Sequence, residues 1–431
     1  MPPDGKRADT GATRHDAPGP EPMNCCTMTP VRHILTTTAL ALLAACAGES
    51  GPWLYAVELR ELPSGAGARY PSLATGPAGE VVAGWLEPQG EGYALRFSTW
   101  RQHRWQPAGT VASGSDWFIN WADFPSVVPL GGDRLAAHWL EQTAGGIYSY
   151  DVRASLSEDG GRSWSRPFSP HDDGTPTEHG FVSLFGWDGR SWAAWLDGRR
   201  TGGGHGGGTE HAQADGAMTL RSGPLTAAGG EDVEIDDRVC DCCQTDVAIT
   251  AEGPVLVYRD RDFAEVRDIA LRRGTPQGWS DPVLVHADGW QIDACPVNGP
   301  AVDASGSTVV VAWFTAPDLP RVRLAFSEDA GRSFARPLEV ASGRVAGRVD
   351  VILTGGRAIV SWLEDGESGT RIRAQPFDRD GPVGQAVDIA ESSVARSSGF
   401  PQMVAADEGI LFAWTEVGDP PAVVTALVTL R

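Results

Sequence analysis

Short apolar strands that carry an aromatic residue near their end recur along most of the chain, and no stretch has a helical period of useful length. The seven aromatic residues are Trp85, Trp139, Trp195, Tyr258, Trp313, Trp362 and Trp414. Their successive spacings are 54, 56, 63, 55, 49 and 52 residues. A second short strand begins 12 or 13 residues before each aromatic residue, and turns rich in Gly and Asp, such as 76–79 and 131–133, separate the two strands.

A period near 50 residues with several short strands per unit is typical of a β-propeller. We therefore predict an all-β fold with about seven four-stranded blades. The last repeat ends after about three strands, so we expect residues 54–59 to add the missing outer strand and close the ring without a free sheet edge. Six blades is the alternative if one aromatic strand is a coincidence.

The N-terminal region has the pattern of an export signal rather than of a folded domain. Residues 34–45 are apolar, too short to span a membrane as a helix, and follow the basic pair Arg32 and His33. They end at Cys46, and residues 43–46 resemble a bacterial lipobox, in which the cysteine becomes the lipidated first residue. An ordinary signal peptide followed by a chance cysteine is the alternative.

This pattern predicts four segments. Residues 1–27 form an upstream extension, because Met28 is the more natural start, and residues 28–45 form the signal peptide. Residues 46–52 form a lipidated tether, and residues 53–431 form one propeller domain. Ala47 follows the lipidated cysteine where the lipoprotein family uses Asp for inner-membrane retention, so the resemblance implies an anchor in the outer membrane or cell envelope.

Charge and composition exclude several kinds of function. The net charge of −21 disfavours a nucleic-acid partner, which would need a basic surface. Lys6 is the only lysine, so a Schiff-base or P-loop lysine is excluded from the body of the protein. The sequence indicates no cofactor, no resident metal and a monomer that reaches the membrane only through its lipid.

Four cysteines follow the predicted lipidation site, at positions 240, 242, 243 and 295. An exported protein occupies an oxidising compartment, so Cys240, Cys242, Cys243 and Cys295 are expected to form disulfides, with Cys295 joined to one of the other three. A soft metal held by the Cys-x-Cys-Cys run and the distant cysteine is the alternative.

Two segments resemble the Asp-box pattern, S-x-D-x-G-x-x-W, of sialidases and their relatives. They are residues 157–164 (SEDGGRSW) and 327–334 (SEDAGRSF), with Phe in place of the last Trp in the second. In that family the box is a turn between the third and fourth strands, on the side away from the active site. The resemblance implies a sialidase-like propeller, and it carries little information about activity.

A second resemblance concerns catalysis. Residues 69–73 (RYPSL) are similar to the sialidase stretch whose arginine grips the substrate carboxylate, so Arg69 is a candidate ligand residue, with an ion-paired surface arginine as the alternative. The family also uses a tyrosine nucleophile late in the chain, whereas no tyrosine follows Tyr258. The catalytic residues are therefore not assigned from the sequence.

Arg, Asp and Cys are concentrated in repeats three to five. The family resemblance implies that the starts of first strands and the ends of second strands share one face, which would carry the ligand. The predicted ligand-binding residues there, together with Arg69, are Asp197, Arg199, Asp241, Tyr258, Arg259, Asp260, Arg261 and Asn298. The alternative is a network of ion pairs that orders long loops. A Gly-rich insertion at 201–216 adds His205, Glu210 and His211, either as a loose metal site or as a plain loop.

Three functions remain open on this evidence. The first is an envelope lipoprotein that binds an acidic or polyhydroxylated ligand, a glycan, without catalysis. The second is a glycoside hydrolase of exo-sialidase type, which requires a Tyr/Glu pair or two carboxylates around one sugar carbon. The third is an interaction scaffold without a deep pocket.

Overall fold

The computed structural model describes residues 54–143, 146–201 and 216–430, and this part of the chain is all-β. Its 30 strands form seven antiparallel sheets, and a short 3-10 helix spans Arg396–Ser398. The first strands of the seven sheets contact one another in a closed circle. The seven-bladed propeller is therefore confirmed, and the six-bladed alternative is wrong.

The strands follow one plan, in which the first strand of each blade lines the centre. β1 (Leu54–Arg60) belongs to blade seven, as described below. Blade one contains β2 (Arg69–Thr75), β3 (Val81–Gln89), β4 (Gly92–Arg101), β5 (Arg104–Trp105) and β6 (Gly109–Gly114). Blade two contains β7 (Ser126–Pro129), β8 (Leu135–Gln142) and β9 (Tyr150–Ser157). Blade three contains β10 (His179–Trp187), β11 (Arg190–Asp197), β12 (Thr219–Pro224) and β13 (Val233–Asp236).

The second half of the chain repeats this plan. Blade four contains β14 (Asp246–Thr250), β15 (Gly253–Arg259), β16 (Ile269–Thr275), β17 (Gly278–Trp279) and β18 (Val283–His286). Blade five contains β19 (Ala301–Ser305), β20 (Thr308–Thr315), β21 (Arg321–Ser327) and β22 (Leu338–Ser342). Blade six contains β23 (Val345–Thr354), β24 (Arg357–Gly366), β25 (Gly369–Asp378), β26 (Gly381–Pro382) and β27 (Val387–Ser392). Blade seven contains β28 (Gln402–Ala406), β29 (Gly409–Glu416) and β30 (Ala422–Leu430).

The ring closes as predicted. β1 pairs antiparallel with β30, so the first described strand of the chain is the fourth strand of blade seven. In blades one, four and six the fourth strand is divided into two short pieces. In blade two a single backbone bridge between Ala154 and Phe168 takes its place.

The aromatic residues of the second strands pack between blades, and a carboxylate satisfies the indole N–H. Trp85, Trp195 and Trp362 are buried, and each donates to the acid two residues later, at distances of 3.1, 2.9 and 3.0 Å to Glu87, Asp197 and Glu364. Residues i and i+2 lie on the same side of a strand, so the repeated Trp-x-Asp/Glu sequence pairs the donor with its acceptor locally.

Three aspartates on the first strands join neighbouring blades. Asp246, Asp303 and Asp350 each accept a backbone N–H from the next blade, at 2.8 Å from Val302, 2.7 Å from Leu353 and 2.7 Å from Met403. Burial raises the pKa of Asp246 to about 7 and the pKa of Asp303 to about 6.

The predicted signal peptide, the alternative start Met28, the lipidation site Cys46 and the tether lie outside the described residues, as do His205, Glu210 and His211 of the insertion. Within the described ranges, no helix is long and apolar enough to cross a bilayer.

Candidate functional site

First strands begin and second strands end at the same side of the ring, which we call the loop face. The pairing of Arg69 with Leu86 and of His179 with Asp197 illustrates this arrangement. Loops from second to third strands, such as 260–268, also lie there. The opposite side, the turn face, carries the tight hairpins at 76–80 and the two segments that resemble Asp-boxes.

Arg199 is held by carboxylates on the loop face. Its Nε and Nη2 donate to the two oxygens of Asp197 at 2.7 Å each, and Nη2 also lies 3.2 Å from Asp232 and 3.4 Å from Asp173. Burial lowers the pKa of Arg199, but the hydrogen bond to Asp197 and the negative charges of Asp197, Asp232 and Asp173 together outweigh burial and raise it overall. The guanidinium is therefore neutralised by groups of the protein itself.

Arg261 is paired in the same way. Its Nη1 lies 3.0 Å from both oxygens of Asp241, while Nε and Nη2 donate to Glu265 at 2.7–3.1 Å. The buried Arg267 also donates to Glu265, at 2.9 Å. Asp241, Arg261 and Glu265 keep between 13% and 24% of their side-chain surface exposed, so this cluster reaches solvent.

Arg259 is a structural residue rather than an open anion ligand. It is 1% exposed, and its guanidinium donates to the backbone carbonyls of Asn298, Arg267 and Phe314 at 2.7–3.0 Å. Burial lowers the pKa of Arg259 to about 9. The side chain of Asn298 is also used internally, because its Oδ1 accepts the backbone N–H of Arg348 at 2.8 Å.

The other predicted ligand residues do not join these clusters. Arg69 donates to the carbonyl of Gly67 at 3.2 Å and lies 5.7 Å from the ring centre of Tyr93. Tyr258 is buried and donates to Asp236, at 2.7 Å, between blades three and four.

Asp260 is half-buried and accepts the backbone N–H of Arg261 at 2.9 Å. Burial raises the pKa of Asp260 to about 6. Arg199, Arg261 and Asp241 thus all lie on the loop face, as the sequence predicted, and whether they contact a ligand stays a prediction.

The four cysteines form two disulfides beside Asp241. Cys242 is joined to Cys295, as predicted for Cys295, and Cys240 is joined to Cys243. The bridge to Cys295 spans 53 residues and ties the segment before blade four to the segment before blade five. Cross-linking a loop of this length contributes on the order of 4 kcal/mol in the chain-entropy description.

A tyrosine between two carboxyl groups was not predicted from the sequence. The hydroxyl of Tyr150 lies 2.5 Å from Oε1 of Glu178 and 3.2 Å from Oδ2 of Asp123. Asp123 precedes β7, Tyr150 begins β9 and Glu178 precedes β10, so residues 27 and 28 positions apart meet between blades two and three. All three are at most 8% exposed, and the ring of Phe118 stacks on Tyr150 with centroids 4.1 Å apart.

Burial controls the protonation of this cluster. It raises the pKa of Asp123 to about 7 and the pKa of Glu178 to about 8, and it raises the pKa of Tyr150 well above its usual range. A phenol can donate only one hydrogen, so one of the two carboxyl groups must carry a proton for both contacts to be hydrogen bonds. Asp123 also accepts the backbone N–H of Phe181 at 2.7 Å, which fixes it to blade three.

The central channel adjoins this cluster, because Asp123 is one of its lining residues. It has a volume of about 770 Å³ and is lined by the first strands of the blades. Near the loop face, Gln244 donates to the carbonyl of Ala122 and accepts the N–H of Gly299, and Trp121 stacks on Phe400. The cavity extends from this layer to the hairpins of the turn face.

The two segments that resemble Asp-boxes are turns with the same internal hydrogen bonds. Asp159 accepts from the backbone N–H and hydroxyl of Ser163 at 2.9 and 2.6 Å, and Asp329 accepts from Ser333 at the same distances. The aspartate therefore caps its own turn.

Comparison with known proteins supports the fold. No protein-family model and no curated protein match the sequence. Among solved structures, a protein of unknown function from Dyadobacter fermentans DSM 18053 is 15% identical, with 88% of this chain and 100% of that chain covered and a TM-score of 0.51. Trypanosoma rangeli sialidase is 12% identical over 76% of this chain and 56% of its own, with a TM-score of 0.47.

The K499G mutant of NanB sialidase from Streptococcus pneumoniae is 10% identical over 88% of this chain and 71% of its own, with a TM-score of 0.44. The propeller predicted from the sequence is confirmed by the strand order and the closed ring of the structure itself. At these identities the likeness does not extend to a reaction or a ligand.

Proposed function

We propose that this protein is an exported, lipid-anchored propeller of the cell envelope that binds a polyhydroxylated ligand, a glycan, on the loop face of blades two to four. The observation that carries the proposal is a pair of partly exposed carboxylates fixed by arginines, on the same face as an exposed tyrosine ring. Asp241 and Glu265 are held by Arg261, and Tyr148 is 46% exposed with its ring edge against Phe118.

The charge balance favours hydroxyl groups over an acidic ligand. Arg199 and Arg261 are each neutralised by two or more carboxylates, so an anionic ligand would have to displace an existing ion pair. Fixed carboxylates are hydrogen-bond acceptors for sugar hydroxyls, and an exposed tyrosine ring offers a flat apolar surface with a polar end.

A binding experiment tests this proposal. Purified protein is titrated with a panel of neutral and acidic oligosaccharides, and the best ligand is measured against Tyr148→Ala and Arg162→Ala. The Tyr148 substitution should weaken binding roughly tenfold, the equivalent of about 1.4 kcal/mol. Arg162 is exposed on the turn face, so its substitution should leave the dissociation constant unchanged. Equal effects of the two substitutions, or no binding of any glycan, contradict the proposal.

The anchor is tested separately. Lipidated protein should enter the detergent phase, and Cys46→Ser should leave it soluble or unprocessed. An unmodified, water-soluble mature chain that begins elsewhere would refute the lipid anchor.

Glycoside cleavage is the second candidate, favoured by the contact of Tyr150 with Glu178 and Asp123. A nucleophilic tyrosine assisted by a carboxylate, with a protonated carboxyl group nearby, is one arrangement that can cleave a glycosidic bond. Wild-type protein should then hydrolyse at least one aryl glycoside or sialoside, and both Tyr150→Phe and Asp123→Asn should abolish turnover while Arg162→Ala retains it. Because Tyr150 is 1% exposed, binding without cleavage remains the primary proposal.

A further inference from the structure

Two buried histidines stack between blades two and three, behind the Tyr150–Glu178 pair. The rings of His171 and His179 are almost parallel, with an angle of 10° and centroids 4.0 Å apart. Their side chains are 4% and 0% exposed. His179 is the first residue of β10, and His171 lies in the connection that leads to it. Neither histidine takes part in the function proposed above.

Asp173 orients both rings. Its Oδ2 lies 3.2 Å from Nδ1 of His171 and 3.1 Å from Nε2 of His179. The hydroxyl and the backbone N–H of Thr175 donate to its other oxygen, Oδ1. A carboxylate accepts hydrogen bonds, so each histidine presents an N–H to Asp173.

The remaining ring nitrogens face other acceptors. Nε2 of His171 and Nδ1 of His179 lie 4.0 and 3.6 Å from the same carboxylate oxygen, Oδ1 of Asp151. The carbonyl oxygen of Tyr150 is 3.3 Å from Nδ1 of His179. Nε2 of His171 is buried and has no hydrogen-bond partner among the described residues. The ligand atoms of Asp151, His171 and His179 all lie within 4.8 Å of one another, close enough for one cation to be shared among them.

We propose that these groups form a binding site for a divalent transition-metal ion of the zinc class. The ligands are Nε2 of His171, Nδ1 of His179 and a carboxylate oxygen of Asp151, and the carbonyl of Tyr150 is positioned as a fourth. Imidazole and carboxylate ligands suit Zn²⁺, and a carboxylate that accepts the second N–H of a ligating histidine is the usual outer partner of such sites.

The observed separations are close to those of a bound ion. Metal–ligand bonds of about 2.0–2.2 Å place tetrahedral ligand atoms about 3.3–3.6 Å apart. The two distances to Asp151 are 3.6 and 4.0 Å. Because an imidazole binds a metal in its own ring plane and the two planes are almost parallel, both rings must tilt toward one another when the ion binds. Asp151 is 31% exposed and gives the ion a path from solvent.

The position of the site gives the ion a structural role. Asp151 follows Tyr150 in β9, and His179 follows Glu178 at the start of β10. A bound ion therefore links the backbone beside Tyr150 to the backbone beside Glu178, on the side away from the hydroxyl of Tyr150. The proposal does not depend on what binds at the loop face.

The test uses oxidised full-length protein that has been stripped with a chelator. Zn²⁺ is added in calorimetric titrations, and Co²⁺ is added while the visible spectrum is recorded. We expect one ion per chain and a Co²⁺ spectrum typical of nitrogen and oxygen ligands. Asp151→Asn should weaken Zn²⁺ binding at least 100-fold, and Asp173→Asn should weaken it about 10- to 100-fold. Asp172→Asn, an exposed carboxylate on the same connection, should bind like wild type.

Two measurements keep the result unambiguous. A variant that lacks both His205 and His211 should retain the ion, which excludes the insertion as its ligand. Nitrogen NMR of the histidine rings in wild-type protein requires no substitution, and Zn²⁺ should shift Nε2 of His171 and Nδ1 of His179. Rings that are fully protonated at both nitrogens and unaffected by Zn²⁺, or equal affinity of wild type and Asp151→Asn, would overturn the proposal.

Discussion

The turn face and the loop face use polar side chains in different ways. On the turn face, Ser157 and Ser327 accept the N–H of the glycine four residues later, at 2.8 and 2.9 Å. On the loop face, Asp197 meets His179, Arg199 meets Asp232 and Tyr150 meets Glu178, with partners 18, 33 and 28 residues apart. These serine bonds serve a single turn, whereas these loop-face contacts join separate strands and blades. The turn face also has a contact between blades, from Arg332 to Glu252.

This difference separates contacts that can recur from blade to blade from contacts that occur at one place in the ring. A turn that satisfies itself can be copied from blade to blade, because it needs no partner elsewhere. The loop-face groups depend on several segments at once, so each cluster occurs in one place. The candidate functional residues therefore concentrate on the loop face. The polar contacts of the two faces should also differ in how much they contribute to the free energy of unfolding.

The largest effect is expected for Arg259→Ala. The substitution leaves the carbonyls of Asn298, Arg267 and Phe314 without a buried donor, which should lower the free energy of unfolding by about 4 kcal/mol. Chemical denaturation measures this change. Arg162→Ala on the turn face is the control and should leave the denaturation midpoint in place. If the Arg259 variant were equally stable but failed to bind ligand, the structural role assigned to Arg259 would be wrong.

The next effect concerns pH and the aspartates that join blades along the channel. Burial raises the pKa of Asp246 to about 7 in the folded protein, so the folded state binds a proton more tightly than the unfolded state. The stabilisation that Asp246 contributes is fully present below about pH 4 and is lost as the pH rises to about 7. The difference in unfolding free energy between wild type and Asp246→Asn should fall by on the order of 3 kcal/mol over this interval.

Denaturation at several pH values gives that curve. Asp281→Asn, at an exposed position, supplies the control and should follow wild type throughout. A difference curve for Asp246→Asn that is flat between pH 4 and pH 7 would show that the carboxyl group is ionised at both ends.

A smaller effect is expected in the packing around Tyr150. A Cβ atom at Gly180 would overlap Oδ2 of Asp123 and lie 3.0 Å from Cε2 of Tyr150. Gly180→Ala should therefore cost about 2 kcal/mol of stability. Gly186 lies on the same strand, where an added Cβ meets its nearest neighbour at 3.6 Å, so Gly186→Ala should be tolerated. The difference in thermal unfolding midpoint between Gly180→Ala and Gly186→Ala measures the cost of this crowding. Equal midpoints would mean that the side chains of Asp123 and Tyr150 can move to accommodate the added methyl group.

The smallest effect belongs to the turn face. Ser157→Ala and Ser327→Ala each remove one acceptor for a backbone N–H and should each cost about 1 kcal/mol. Because the two turns have the same bonds, the two losses should agree and should add in the double variant. Unequal or non-additive losses would show that the turns also depend on neighbouring blades.

Much of the fold follows from local sequence. Trp85, Trp195 and Trp362 each stand two residues before an acid. This spacing puts both side chains on the same side of a β-strand, so it also identifies the acid as the acceptor for the indole N–H. The closing strand could be predicted because the last repeat lacks one strand and an open sheet edge is unfavourable. The pairing of Cys295 was predicted only in part, since three partners stood within four positions of one another.

The candidate site was predicted less completely. Arg199, Arg259 and Arg261 look alike in sequence, yet two pair with carboxylates and one with backbone carbonyls. His171 and Tyr150 carried no signal, because neither occurs in a motif with fixed spacing. A weak signal existed in His179, which stands beside Glu178 and shortly before the predicted first strand of the third repeat.

The sequence by itself determined the all-β class, the seven repeats, the closure of the ring and the two self-capped turns, because strand periodicity and turn hydrogen bonds act over a few residues. Only the tertiary structure decided which arginine is buried, which carboxyl groups contact the hydroxyl of Tyr150 and which ring nitrogens face Asp151. These properties depend on burial and on distances between separate blades, and both are fixed only when the ring has closed.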